Sequence, residues 1–477
     1  MLLLWDRYSF NIRPSATQGL ALIGGLLEIR QPLQAYKLAQ RLVIVAQDLE
    51  LGDVLCDVLF LQSLAAYELR CYRKAGELLD RLKTVAKTAN TSFPKETSDR
   101  FRAAKKAVDT RIRELQHGDY DWLSLFRKST TQGPEQRYLL EAADFIGPVK
   151  LDWAPGKGRG LFSTRDLRAG ELLIVEKAIS VGFEGENATD HRQSYDFSFH
   201  RIAVPGISTA TGKTVAQLIS GVVDNPNLYH QLAQLSGGPR SDSLPSLKLP
   251  PSENVWLESE IPALDRLDSE QIKTMIQLNA YSLPLVAKDL ASSPSLDYEE
   301  AGGLFYACSF MNHSCIPNTD RIAFGDVMVI RTNTDIKKGA EITQSYVART
   351  PYHLRASRLK DNWGIDCTCA MCQADHMEGH EVLARRKQLI RYMGWVLGPI
   401  ASYFGPLSFL LSRLLPRRWA HIPASPLIFA LKRLARMMED TFTHSENRRY
   451  KDLHLSSAYS MLGALTKSQD HLIAIEV

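Results

Sequence analysis

The chain is short of the features that mark several classes of protein. Its charge is nearly balanced, with 57 basic residues against 53 acidic ones for a net charge of +4. The two signs are mixed along the sequence, so no dedicated nucleic-acid surface is expected. A secretory leader is not evident, because MLLLWDRYSF has only a few apolar residues before Asp6 and Arg7, too few for the apolar core of a signal peptide. Seven cysteines make an odd number, and three of them fall between Cys367 and Cys372. That argues against a secreted disulfide framework and for a reducing compartment, so a cytoplasmic or nuclear protein is expected. One long uncharged run, Tyr392 to Ser412 between Arg391 and Arg413, meets the length test for a membrane helix. Two Gly-Pro pairs at 398–399 and 405–406 interrupt it, and the reading is buried or partly irregular helix rather than a span.

What is present is soluble globular sequence: 477 residues, 45% hydrophobic and 23% charged, enough for about three domains. Residues 1–125 read as helical, with apolar positions at three- and four-residue spacing in AYKLAQRLVIVAQDLEL and VLFLQSLAAYELRCYRKAGELLDRLKTV. Small residues Ala65, Ala66 and Ala75 and the aromatics Tyr67 and Tyr72 sit where two antiparallel helices would interlock. That resembles one tetratricopeptide unit; an ordinary helical hairpin is the alternative. A basic helix from Lys95 to Leu115 reads as a solvated face and stops at Gly118.

At Val149 the pattern turns to strands, with a turn at Gly156, Gly158 and Gly160 and a second at Arg168-Ala169-Gly170. Three glycines in five residues let backbone amides approach a ligand closely, although a plain hairpin loop has the same composition. Residues about 183–300 are mixed: QLISGVVDNPNLYHQLAQL is helical, 236–252 is a loop, and SEQIKTMIQLN is a helix with Ser269 as N-cap. Cys308 to Tyr346 then packs an Asn-His pair, a thiol and a terminal tyrosine around two short strands and a turn. Polar groups at that density in apolar sequence are costly to bury unless something uses them, which marks a site. Further on, Cys367, Cys369 and Cys372 form CxCxxC, and three thiols within six residues point to a metal. The fourth ligand comes from His376 or from elsewhere in the fold. Beyond 377 the chain reads as helical.

The succession GKGRGLF, NAY, FMNHSCIPN, GAEITQSY, CTCAMC resembles the SET-domain protein lysine methyltransferases, and among them the SET-and-MYND subgroup and its fungal tetratricopeptide-bearing relatives. The resemblance covers about residues 144–375. It implies an α+β fold: a SET-type β-fold of small sheets over 144–350 with a helical insert at about 183–300, a zinc-bound post-SET segment at 351–376, and all-α flanks at 1–125 and 377–477. Lys157, Gly158 and Arg159 would hold S-adenosylmethionine through their backbone, and Asn279, Asn312 and His313 would complete its pocket. Tyr346 would be the catalytic tyrosine where cofactor meets substrate. Tyr281, Tyr346 and Trp363 would line the lysine channel. Cys315 would join Cys367, Cys369 and Cys372 in a closed four-thiolate zinc site.

Two departures accompany the resemblance. No cysteine lies between Glu176 and Cys308, so the zinc-binding insert of the animal relatives is absent. Ile365 stands where an aromatic usually stacks on the cofactor's adenine. The implied function is methylation of a lysine ε-amine in a histone or other protein by a monomeric enzyme, with protein partners reached through the helical regions and neither nucleic acid nor membrane. The alternative is a catalytically weak scaffold that binds protein partners.

Overall fold

The computed structural model describes residues 12–89, 94–131, 139–183, 209–237, 249, 257, 268–283, 301–347, 352–392, 425–444, 448 and 450. Residues 1–11, much of the 183–300 insert, residues 393–412 of the uncharged run and most residues beyond 444 lie outside them. No described helix is long and apolar enough to cross a membrane. The chain forms two compact units, one of 1–312 with 318–342, the other of 313–317 with 343–477.

The first unit begins with α1 (Ile12–Glu28), α2 (Pro32–Asp48), α3 (Gly52–Glu68) and α4 (Tyr72–Thr88). Each has 17 residues, and the last three start at twenty-residue intervals (32, 52, 72). The joints are identical Schellman turns. The amides of Gln31, Leu51 and Cys71 reach back to the carbonyls of Leu26, Ala46 and Ala66 at 2.9, 2.9 and 2.8 Å, with Arg30, Glu50 and Arg70 in the left-handed conformation (φ 58, 55 and 62°). A hairpin of forty residues differs from the 34 of a tetratricopeptide unit; what stands is a regular helical array. Ala35, Ala39, Ala65, Ala66 and Ala75 are fully buried, letting the helices approach. Tyr67 and Tyr72 meet edge-to-face at 5.2 Å. Two further helices follow, α5 (Lys95–His117), ended by left-handed Gly118, and α6 (Trp122–Thr131).

Eleven short strands follow in order. They are β1 (Phe145–Ile146), β2 (Val149–Ala154), β3 (Gly158–Ser163), β4 (Leu172–Lys177), β5 (Ser180–Phe183), β6 (Ala280–Leu283), β7 (Ala301–Leu304), β8 (Asn312–His313), β9 (Thr319–Phe324), β10 (Val327–Thr332) and β11 (Glu341–Gln344). One sheet runs β1-β4-β10-β9; in a second, β2, β3 and β11 are neighbours in that order; a third runs β5-β7-β6. Their pairing is antiparallel, with Val329 opposite Val175 at the centre of the first and Ile342 opposite Leu161 in the second. The apolar run Leu173–Val175 is buried on both faces, as a central strand requires. Three helices accompany the strands: α7 (Thr209–Asp224), α8 (Asn227–Leu232) and α9 (Ser269–Asn279). Pro226 splits what the periodicity alone reads as one helix. The α9 cap is Asp268 rather than Ser269, its carboxylate accepting from the Glu270 and Gln271 amides at 3.0 and 3.2 Å.

Buried polar groups fasten the helical array to the strands. Arg70 donates to the carbonyls of Lys177 and Ala178 at 3.1 and 2.7 Å and lies 3.7 Å from Asp144. Glu114 accepts from Arg111 at 2.6 Å and from the Ala143 amide at 2.9 Å, while the Tyr120 hydroxyl donates to the Ala143 carbonyl at 2.6 Å.

The second unit contains α10 (Tyr352–Trp363), α11 (Ala370–Met377), a helical stretch over 380–392 and α12 (Ser425–Glu439). Its core gathers Leu359, Met371, Val347, Cys315 and Cys372. Beside that core runs a buried ion network: Arg355 to Asp375 at 2.8 Å, and Arg386 to Asp375 and Glu378 at 3.3 Å each. Arg386 also holds Thr441 beyond α12 through its side chain at 2.8 Å and its carbonyl at 2.9 Å.

The three left-handed turns differ in what their central side chain does, which separates two substitutions. Glu50→Gly should stabilise the chain by up to about 1 kcal/mol by relieving the left-handed strain. Arg70→Gly should cost about 2 kcal/mol because two carbonyls lose their donors. Urea unfolding of the full chain measures both, and shifts of the same sign would contradict this account of the turns.

Candidate active site and metal centre

In the first unit the glycine turn joins β2 to β3. Gly156 and Gly158 have φ of 72 and 83°, and a Cβ at either would meet nothing within 4 Å; the turn leaves its main chain uncovered. Gly160 is different. A Cβ there would stand 2.8 Å from Asn312 Nδ2 and 3.0 Å from Glu341 Oε1, so only glycine allows this approach.

Around that contact the predicted residues converge on a carboxylate that the sequence reading missed. Glu341 takes the Lys157 ammonium on one oxygen at 2.7 Å and the Asn312 amide on the other at 2.8 Å. Asn312 also donates to the Arg159 carbonyl at 3.1 Å. The Arg159 guanidinium lies over the Phe310 ring at 4.9 Å and donates to the Gln234 carbonyl; burial lowers its pKa. Asn279 donates to the carbonyls of Met275 and Ser236 at 2.7 and 2.8 Å, closing the end of α9. Segment 234–236 is thus held by both Arg159 and Asn279.

Tyr281 is 7% exposed. Its hydroxyl donates to the Cys308 carbonyl at 2.6 Å, its ring meets Phe305 edge-on at 5.7 Å, and Arg321 lies over its face at 5.2 Å. Behind it the buried Glu176 accepts from the amides of Ala307 and Cys308 at 2.9 and 3.0 Å. Burial, aided by Asp144, pushes the Glu176 carboxyl up to about 7 against the pull of those two amides. Cys308 is fully buried and its thiol is pushed up by burial and by Glu176, as befits a small buried hydrophobe.

In the second unit the sulfurs of Cys315, Cys367, Cys369 and Cys372 all lie within 4.8 Å of one another. Cys315 Sγ is 3.9 Å from Cys367 and 3.6 Å from Cys372. A tetrahedron with 2.3 Å metal–sulfur bonds has edges of about 3.8 Å, so the donor set fits one cation with four sulfur ligands. Contacts with Cys315 come first among the causes that hold the Cys367 and Cys369 thiols down. Cys315 and Cys372 are pushed up, chiefly by the contacts with Cys367 and Cys315 respectively. Arg355 is 1% exposed. Burial works against its charge, but Cys315, Asp375 and Cys372 outweigh it and raise its pKa, so the guanidinium is a cation beside the four sulfurs. His376 is not in the cluster; its Nε2 lies 2.8 Å from the Tyr352 hydroxyl.

His313 Nδ1 accepts from the Tyr346 amide at 3.0 Å, and its Nε2 lies 3.2 Å from Cys315 Sγ. The Tyr346 ring packs between His313 at 5.4 Å and Trp363 at 5.3 Å. Ile365 packs against the same core, its amide donating to the Leu359 carbonyl at 3.1 Å. The predicted residues therefore assemble in two groups. Lys157 and Asn312 meet on Glu341 in the first unit, Asn312 also reaching the Arg159 carbonyl, with Gly158 in the adjoining turn and Asn279 and Tyr281 bracketing the start of β6. The four cysteines, His313, Tyr346, Trp363 and Ile365 cluster in the second.

Residues 158–347 match the family described as SET domain. Among curated proteins it is similar to a methyltransferase of Gibberella zeae, 24% identical over 345 residues that make 69% of this chain and 43% of that one. It is also similar to the histone-lysine N-methyltransferase SET5 of Meyerozyma guilliermondii, 40% identical over 83 residues, 16% of this chain and 17% of that protein. The protein-lysine N-methyltransferase SMYD4 of Homo sapiens is 36% identical over 87 residues, 18% of this chain and 10% of that one. In each case the match spans less than half the relative's length.

The glycine turn yields a test independent of activity. Gly160→Ala should cost about 1–3 kcal/mol because Asn312 and Glu341 must give way, whereas Gly156→Ala should cost about 1 kcal/mol from backbone strain alone. Equal losses in chemical denaturation would contradict the close-approach role of Gly160.

Proposed function

We propose that this chain is an S-adenosylmethionine-dependent protein lysine N-methyltransferase with a structural zinc ion. The observation that carries the reading is that the SET-domain match, 158–347, contains both Asn312-His313 and Tyr346, and that the side chain or main chain of each is fixed by hydrogen bonds. The names of the similar proteins support the same reaction class.

When bound, S-adenosylmethionine supplies an electrophilic methyl group on a sulfonium. In this reading the main chain of Lys157, Gly158 and Arg159 would orient the cofactor, and Glu341 holds Lys157 and Asn312 in register for it. The aromatic rings of Tyr346 and Trp363 exclude water from the lysine and favour its neutral amine, the form that can attack. Positioning of the lysine by these side chains would provide much of the acceleration. The Tyr346 hydroxyl would offer a weak CH···O acceptor where the methyl is transferred, and solvent would take the proton the amine gives up. The four cysteines would hold zinc as a closed structural site, with Arg355 balancing the charge of the thiolates.

The full-length protein should transfer label from methyl-labelled S-adenosylmethionine to proteins of a whole-cell extract from its own source. Tyr346→Phe should lower transfer at least about tenfold with an unchanged thermal midpoint. Absence of label with metal bound would sink the proposal and favour a scaffold that binds protein partners.

A further inference from the structure

We infer that His313 is a positioning residue that ties the four-sulfur cluster to Tyr346, so that metal occupancy sets how firmly Tyr346 is held. The inference rests on the reading of Tyr346 and of the metal centre just proposed.

It starts from one hydrogen bond whose direction is certain. A backbone N–H can only donate, so the 3.0 Å bond from Tyr346 N makes His313 Nδ1 the acceptor. In the neutral imidazole the proton then sits on Nε2, and that nitrogen lies 3.2 Å from Cys315 Sγ. The ring therefore donates to sulfur on one edge and accepts from the main chain of Tyr346 on the other. It is 5% exposed, which leaves neither edge free to exchange its partner for water. The imidazole also packs against the Tyr346 ring at 5.4 Å, so it guides both the main chain and the side chain of that residue.

The sulfur end of this link is movable and the metal decides whether it moves. Cys315 lies in the short 313–317 segment, which is also tied to 343–347 by the Ser314 amide donating to the Gln344 carbonyl at 2.9 Å. A sulfur shared by a cation with Cys367, Cys369 and Cys372 cannot leave by rotation about its side-chain bond; an unligated one can. When it leaves, His313 loses the partner that sets its ring orientation, as outer-sphere partners do around metal sites generally. Tyr346 then loses its amide acceptor.

Amide hydrogen exchange on the full chain reads this link without requiring turnover. In metal-loaded protein the Tyr346 amide should be protected; after removal of zinc with a chelator it should exchange about tenfold faster, while the helical amides of α10 and α11 change much less. His313→Phe keeps the ring's shape but neither nitrogen: its Tyr346 amide should exchange fast with or without chelator, and kcat should fall with little change in KM. His313→Gln, which carries an acceptor and a donor on one amide, should restore part of both. An unchanged Tyr346 amide after chelation would overturn the inference. So would acceleration spread equally over α10 and α11, since the metal would then be holding the whole fold rather than this link. If His313→Phe does not fold, the wild-type comparison still decides. Expected exchange behaviour in a protein that transfers no methyl group would leave this link standing and defeat only the proposed activity.

Discussion

Among the described residues of the second unit, the core of 313–317 with α10 and α11 is arranged around the convergence of four sulfurs. Cys315 is separated from Cys367 and Cys372 by more than fifty residues of sequence, yet its sulfur lies within 3.9 Å of both. Four thiols packed this closely, with a buried guanidinium beside them and that guanidinium held by Asp375, make a poor apolar core and a good cation site. Leu359, Met371 and Val347 surround them, with Ile316, Tyr346, Trp363 and Ile365 packed against the same cluster.

The same short stretch of chain must serve two purposes, and its strand conformation permits this. Successive side chains of a strand point to opposite faces. In β8, Asn312 spends its amide on Glu341 and the Arg159 carbonyl, while His313, one residue on, spends its ring on Cys315 and Tyr346. Cys315 lies just beyond the strand, in the bend that follows. A helix would have placed consecutive residues only a third of a turn apart and could not have separated the two tasks so cleanly. The division between the compact units falls between Asn312 and His313 and again between Ile342 and Thr343, so the residues proposed for catalysis straddle it in sequence.

The sequence was legible where chemistry is written into local spacing. CxCxxC announced the candidate metal site, and helical periodicity and small residues announced the N-terminal array. Resemblance supplied Cys315 as the fourth sulfur, and geometry places it there in preference to His376. Glu341 went unnoticed because its role exists only through Lys157, 184 residues away in sequence; nothing local distinguishes it from a solvent-facing strand glutamate. The unequal duties of Gly158 and Gly160 were hidden for the same reason, since the crowding at Gly160 comes from Asn312 and Glu341. The cap of α9 moved by one residue because an aspartate preceding a serine offers the stronger acceptor. The twenty-residue period of the helical array lay in turns whose left-handed residues are Arg, Glu and Arg rather than glycine, so the usual punctuation was missing.

The claim on which the account turns is that Cys315, rather than a nitrogen or oxygen ligand, completes the metal site. Zinc-edge X-ray absorption of the purified full chain tests it most directly. The account predicts four sulfur ligands at about 2.3 Å in the wild type and three in Cys315→Ser. A nitrogen or oxygen ligand in the wild type, or an unchanged sulfur count in Cys315→Ser, would contradict it.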